Sequence, residues 1–248
     1  IIVATSVESS DDGLAELIQT HGLTCFRGSL DNTLDRFVSA LSGHCDETIV
    51  IRLTADNVFP DGALLDEIET EFQARGLAYL CCNGEQSGFP HGMSAEFTRL
   101  GYLREAAASN ANAYDQEHVT PYIRRKFGAE YFEKYKHLGM GHFRCTIDCL
   151  DDYLCIQRVF SGVQNPINES AFALVSTCKA ALWPSSAAKC SGVLPEASRS
   201  FTPALALMRN CTDSPRPPHA AECNGVLRDE SMLFTSALAS MSICIAAQ

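Results

Sequence analysis

Over residues 1–160, short runs rich in β-branched residues alternate with segments whose apolar side chains recur every three or four positions. IIVAT at 1–5, TCFR at 24–27, and the stretches 48–53, 77–82, 93–98 and 143–147 read as strands. Between them, 11–21 gathers Leu14, Leu17 and Ile18 on one helical face. Segment 31–41 does the same with Leu34, Phe37, Val38 and Leu41, and 61–75 with Leu64, Leu65, Ile68 and Phe72. Helices are also expected over 100–109, 118–127 and 151–160. This rhythm predicts βαβ units, hence an α/β fold with a mostly parallel sheet. In such sheets ligands bind beyond the carboxyl ends of the strands.

The rhythm stops near Gly162. Residues 163–248 are rich in Ala, Ser, Pro and Cys, and 209–225 (RNCTDSPRPPHAAECNG) is loop-like. Segments 171–181 and 232–246 are expected helices. The chain therefore divides into a domain at 1–162 and an extension at 163–248 that could be an added lobe, a truncated second domain or partly disordered sequence.

Residues 1–163 carry 13 Lys and Arg against 24 Asp and Glu, which is the whole net charge of -11. An acidic domain without a basic stripe argues against nonspecific binding to nucleic acid. No apolar run reaches the length of a membrane span, and the first residues lack the features of a signal peptide. Twelve cysteines contain no CxxC pair, and several sit in apolar segments. Reduced, mostly buried thiols in a cytoplasmic protein fit this pattern better than a disulfide framework or a zinc site.

The stretch IRLTADNVFPD (51–61) places Arg52 and Asp56 where a core strand meets its loop. A carboxylate just past the end of a central strand lies where folds of this kind bind their ligands. In 89–97 (FPHGMSAEF), Ser94 and Glu96 share one strand face. In 115–127 (DQEHVTPYIRRKF), Glu117 and His118 precede a helix with Pro121 near its start. That pair reads as a hydroxyl anchor with a general base, with helix capping as the alternative.

With CFRGSLDNTLDRF (25–37) and FRCTIDCLDDYLCIQRVF (143–160), these stretches in this order resemble the spore-coat polysaccharide cytidylyltransferase family, related to the CMP-KDO synthetases. The resemblance spans about residues 1–160. It implies a Rossmann-like nucleotidyltransferase fold of the nucleotide-diphospho-sugar transferase type, joining CMP from CTP to a sugar or sugar acid with Mg²⁺. It implies Asp56 and Asp148 as metal ligands, although Cys149 and Leu150 replace the Thr and Pro usual after the second aspartate. It places Arg27, Arg36, Ser94, Glu96, Glu117 and His118 around the substrates, with Arg52, Asp56 and His118 carrying the chemistry. Arg36 with Asp35 reads as readily as a surface ion pair, and Arg52 as a structural salt bridge. A homodimer is left open.

The family pattern opens with a strand and a basic, glycine-containing triphosphate loop that this sequence does not show. The expectation is therefore a sheet lacking its first strand, whose gap the extension or a partner must cover, and impaired turnover. A non-catalytic fragment or binding module of the same fold is the alternative. A metal-dependent glycosyltransferase is weaker, for want of a D-x-D motif near Asp56.

Overall fold

A computed structural model describes residues 1–109, 112–160, 183–184 and 242–247. Its strands are β1 (Ile2–Ser6), β2 (Thr24–Gly28), β3 (Ile49–Thr54), β4 (Tyr79–Cys82), β5 (Ala95–Arg99), β6 (Glu130–Tyr131), β7 (Phe143–Arg144), β8 (Trp183–Pro184) and β9 (Ser242–Ala247). Its helices are α1 (Asp12–Thr20), α2 (Thr33–Ala40), α3 (Gly62–Ala74), α4 (Gly84–Ser87), α5 (Leu100–Ala108), α6 (Ala113–His118), α7 (Pro121–Phe127) and α8 (Leu150–Phe160).

Seven strands form one sheet in the order β2-β1-β9-β3-β5-β4-β6, while β7 pairs with β8 apart from it. The β1–β2 and β4–β6 ladders are parallel, and β5 and β9 run antiparallel to their neighbours. The sheet is thus mixed, with β1, β2, β3, β4 and β6 pointing one way. Their carboxyl ends converge on one rim.

Alternation along β3 divides the core. Ile49, Ile51 and Leu53 face Leu65, Ile68 and Phe72 of α3, with Phe97, Phe89 and Cys145 in the same cluster. Val50 faces the other way, with Leu34 and Phe37 of α2, Leu100 and Leu103 of α5, and Ile123 of α7. A strand buried on both faces reads as a continuous apolar run, which Ile49–Ile51 is. Arg52 and Thr54 continue the Val50 face, so its apolar character gives way to polar side chains towards the rim. Helix starts are fixed locally: Asn32, Asp61 and Asn112 each accept a hydrogen bond from a first-turn amide (Asp35, Leu64 and Asp115).

One expectation for the extension needs revision. Part of 232–246 was expected to be helical, yet Ser242–Ala247 is a strand. It lies between β1 and β3, registering Val3 with Ile243 and Leu53 with Ile243 on its two sides. The two flanking strands offer a double row of backbone partners, and this overrides the weak helical pattern of a run of small apolar residues. Of the two expected ways to cover the gap in the sheet, the extension or a partner, the extension supplies a strand between β1 and β3. The helix expected at 171–181 lies outside the described residues.

Candidate active site

At the carboxyl rim, a cavity of about 230 Å³ opens on the Val50 face. Its wall includes Arg52 and Thr54 of β3, Tyr79 and Cys81 of β4, and Glu96 of β5, with His118, Thr120 and Arg124 closing it from the α6–α7 side. Arg52 stands opposite Glu96 in the β3–β5 register, and Glu96 opposite Cys81 in the β5–β4 register. A three-strand row thus carries the polar network.

Glu96 is the hub. Arg52 Nη1 donates to its Oε2 at 2.5 Å, and Tyr79 Oη and Thr120 Oγ1 both donate to its Oε1 at 2.7 Å. Burial would raise the Glu96 pKa, but the Arg52 charge and these three donors outweigh it and hold the carboxyl below its ordinary value. Burial beside that carboxylate pushes the Tyr79 phenol far up, so it remains a donor. Asn57 Nδ2 donates to Thr54 Oγ1 (2.8 Å) and Ser94 Oγ (2.9 Å), tying the β3 loop to the β5 entry.

His118 ends α6, and its ring stands edge-on to Tyr114 at 4.3 Å. Val119 follows at φ 71° and ψ -54°, and the Thr120 amide bonds the His118 carbonyl at 2.8 Å. This is a positive-φ γ-turn, a strained geometry for a β-branched residue. It lets neighbours in sequence, His118 and Thr120, both meet the cavity.

Asp56 lies just past β3, beside the cavity residue Asn57. Its Oδ2 accepts from Thr146 Oγ1 at 3.4 Å, and its carbonyl accepts from the Ile147 amide at 3.0 Å. Its Oδ1 is buried without a hydrogen-bond partner. Asp148, one residue beyond Ile147, pairs with Arg144. Arg144 also holds Asp152 (2.8 Å), whose Oδ2 accepts from the Asp148 and Cys149 amides at the start of α8. The segment that bonds Asp56, through Thr146 and Ile147, is the one that leads into Asp148. An unpartnered carboxylate oxygen on Asp56 and an exposed carboxylate on Asp148 suit a cation that needs only one or two such ligands. Among the described residues no group of three His, Cys, Asp or Glu forms a denser metal cage.

Arg52, Ser94, Glu96 and His118 are brought together at the cavity. Glu117 is exposed and outside its lining. Arg27 and Arg36 are not brought there either. Arg27 spends its guanidinium on the Ser6 carbonyl, Asp12 and the Glu8 carbonyl. Arg36 is 1% exposed and bonds the Ser29 carbonyl at 2.9 Å. These bonds tie Arg27 and Arg36 into the β1–β2–α2 corner, away from the lining of this cavity. Sequence reasoning missed Tyr79, Thr120 and Arg124. The first lies in a run, YLCC, indistinguishable from plain core, and nothing local marks the other two.

A Rossmann-like sheet with a polar cavity and a strand-end aspartate at its carboxyl rim defines a nucleotidyltransferase-type α/β protein. The cytidylyltransferase family model matches residues 1–161, and the chain belongs to that family. It is 31% identical over 183 residues to the spore coat polysaccharide biosynthesis protein SpsF of Bacillus subtilis, covering 71% of this chain and 73% of that one. It is 30% identical over 175 residues to an uncharacterized protein of Methanocaldococcus jannaschii, covering 68% and 70%. The fold resembles the structure of a cytidylyltransferase from Leptospira borgpetersenii with a TM-score of 0.65 and 26% identity, over 72% of this chain and 75% of that one. No described helix is long and apolar enough to cross a membrane.

Proposed function

We propose that this chain is a Mg²⁺-dependent cytidylyltransferase that couples CTP to a hydroxyl of a sugar or sugar acid destined for a surface polysaccharide, acting in the cytoplasm. The observation that carries this reading is the polar cavity at the rim of β3, β5 and β4, whose lining residue Asn57 is preceded in sequence by Asp56 with its unpartnered Oδ1.

Each part of the site has a role in that reaction. The Glu96 network fixes Arg52 and Thr120 as rigid contacts for an acceptor, since all its members sit on strands or a strained turn. His118 takes the proton of the acceptor hydroxyl on an imidazole nitrogen as the oxygen attacks the α-phosphorus. The new O–P bond forms as the bond to the β-phosphate bridging oxygen breaks, and pyrophosphate leaves. Asp56, with Asp148, would hold Mg²⁺, which when bound neutralises phosphate charge. The wall formed by Tyr79 and Tyr131 limits water on one side of the acceptor.

Calorimetric titration of CTP with Mg²⁺ into the wild type and Asp56→Ala tests the reading, followed by pyrophosphate release with a panel of hexoses and sugar acids. Metal-dependent binding lost in Asp56→Ala, with turnover of one acceptor, is expected. Binding without any turnover favours a binding module of the same fold. No CTP binding by the folded wild type overturns the reading.

A further inference from the structure

Helix α7 carries three cations in a row, Arg124, Arg125 and Lys126. Two are spoken for. Arg125 forms a double hydrogen bond to Asp115 at 2.7 Å each, and Lys126 pairs with Glu105. Arg124 has no ion pair or side-chain hydrogen bond among the described residues, and it is the one that lines the cavity.

Its guanidinium is nevertheless held in place. The carbon Cζ lies over the Tyr79 ring, 5.7 Å from its centroid, within cation–π range. Tyr79 is itself 2% exposed and pinned through its hydroxyl to Glu96. Glu96, a carboxylate of the cavity lining, accepts from Arg52, Tyr79 and Thr120 and makes no hydrogen bond or ion pair with Arg124 among the described residues. Arg52 and Glu96 cancel in charge, so Arg124 leaves this cavity with one unmatched positive charge. That stands out in a chain of net charge -11. Arg124 is exposed, so its planar fork of donors is open to a ligand of the cavity, and that fork matches the geometry of a carboxylate or phosphate oxyanion.

We propose that Arg124 is a specificity-determining anion clamp for the ligand of this cavity, reading a carboxylate or phosphate oxyanion with its free guanidinium edge. The inference deepens the function proposed above and rests on the same cavity. The shared chemistry is an oxyanion, which the acceptor supplies as a carboxylate or the nucleotide supplies as phosphate.

Sodium acetate and sodium pyrophosphate, each against sodium chloride of matched ionic strength and without metal, are titrated into the wild type, Arg124→Lys and Arg124→Gln. Melting temperature is the readout. At least one anion is expected to raise the wild-type melting temperature saturably. Arg124→Lys keeps the charge but loses the planar fork, so its apparent affinity falls roughly tenfold or more. Arg124→Gln loses the response. A response to acetate alone assigns the clamp to the acceptor, and one to pyrophosphate alone assigns it to the nucleotide. No saturable response in the wild type, or an equal one in Arg124→Gln, overturns the proposal. Asp56→Ala in the same series separates the two readings: it keeps the anion response while losing Mg²⁺-dependent CTP binding.

Discussion

Arg52 and Glu96 face each other across the β3–β5 ladder, 2.5 Å apart, with side chains only 18% and 16% exposed. An ion pair this far from solvent adds little over an apolar pair, but breaking it strands a buried charge. Glu96→Gln is expected to cost about 3 kcal/mol, measured by urea unfolding at pH 7. The double variant Arg52→Met/Glu96→Leu should recover most of that loss while abolishing ligand binding.

The same carboxylate sets a pH dependence. Its folded pKa lies below the ordinary 4.5, because Arg52 and the Tyr79 and Thr120 hydroxyls overcome the burial that would raise it. A depressed carboxylate contributes stability that is present above the unfolded pKa and lost as pH falls through the folded one. The gap in stability between wild type and Glu96→Gln should therefore shrink below about pH 4.5. A gap that widens in acid would contradict an ionised Glu96.

Val119 is 1% exposed and sits at φ 71°, where a β-branched side chain is strained. Both Ala and Gly at this position lose the packing of the valine side chain. Only Gly relieves the strain. Val119→Gly is expected to be about 1 kcal/mol more stable than Val119→Ala, the reverse of the usual order in a helix or strand. Thermal unfolding of the two variants side by side decides it.

Most of the sheet and the helices around it were legible because two periods recur cleanly: β-branched runs such as Ile49–Ile51, and helical stripes such as Leu65, Ile68 and Phe72. The placement of β9 was not legible, because SICIAA (242–247) has no strong period and its pairing depends on two strands more than 180 residues earlier. At the cavity, Ser94 and Glu96 were readable from face alternation. Arg27 and Arg36 stood in a motif, yet a motif does not say whether an arginine spends its donors on a ligand or on backbone carbonyls. Arg124 was invisible for the opposite reason: only the three-dimensional pairing of Arg125 and Lys126 shows which cation of the three is left over.

The thiols of the described residues should separate sharply in reactivity. Burial pushes Cys82 and Cys145 up to about 12, and Cys81 up to about 11, so little reactive thiolate exists near neutral pH. Cys45 is exposed, and the Thr48 hydroxyl beside its sulfur lowers its pKa. Brief iodoacetamide treatment of the native protein at pH 7.5, read by peptide mapping, should label Cys45 well before Cys81, Cys82 or Cys145. Early labelling of Cys81 would mean that the cavity wall opens in solution.

Gly92 couples the cavity rim to the aspartate segment. Its φ is 101°, and a Cβ there would lie 2.6 Å from the Thr146 amide nitrogen and 2.7 Å from the Cys145 carbonyl carbon. Both obstacles are backbone, so no side chain can rotate aside. The segment that must yield is the one whose Thr146 hydroxyl and Ile147 amide hold Asp56. Gly92→Ala is expected to destabilise the fold by about 2 kcal/mol or more. Where the variant still folds, Mg²⁺-dependent CTP binding should weaken more than the anion response at Arg124, which hangs from α7 on the far side of the cavity. Calorimetry with CTP and Mg²⁺, beside the acetate and pyrophosphate melts, measures both. Equal weakening of the two would mean that Gly92 shapes the cavity as a whole, and that Asp56 is not held independently by the 145–147 segment.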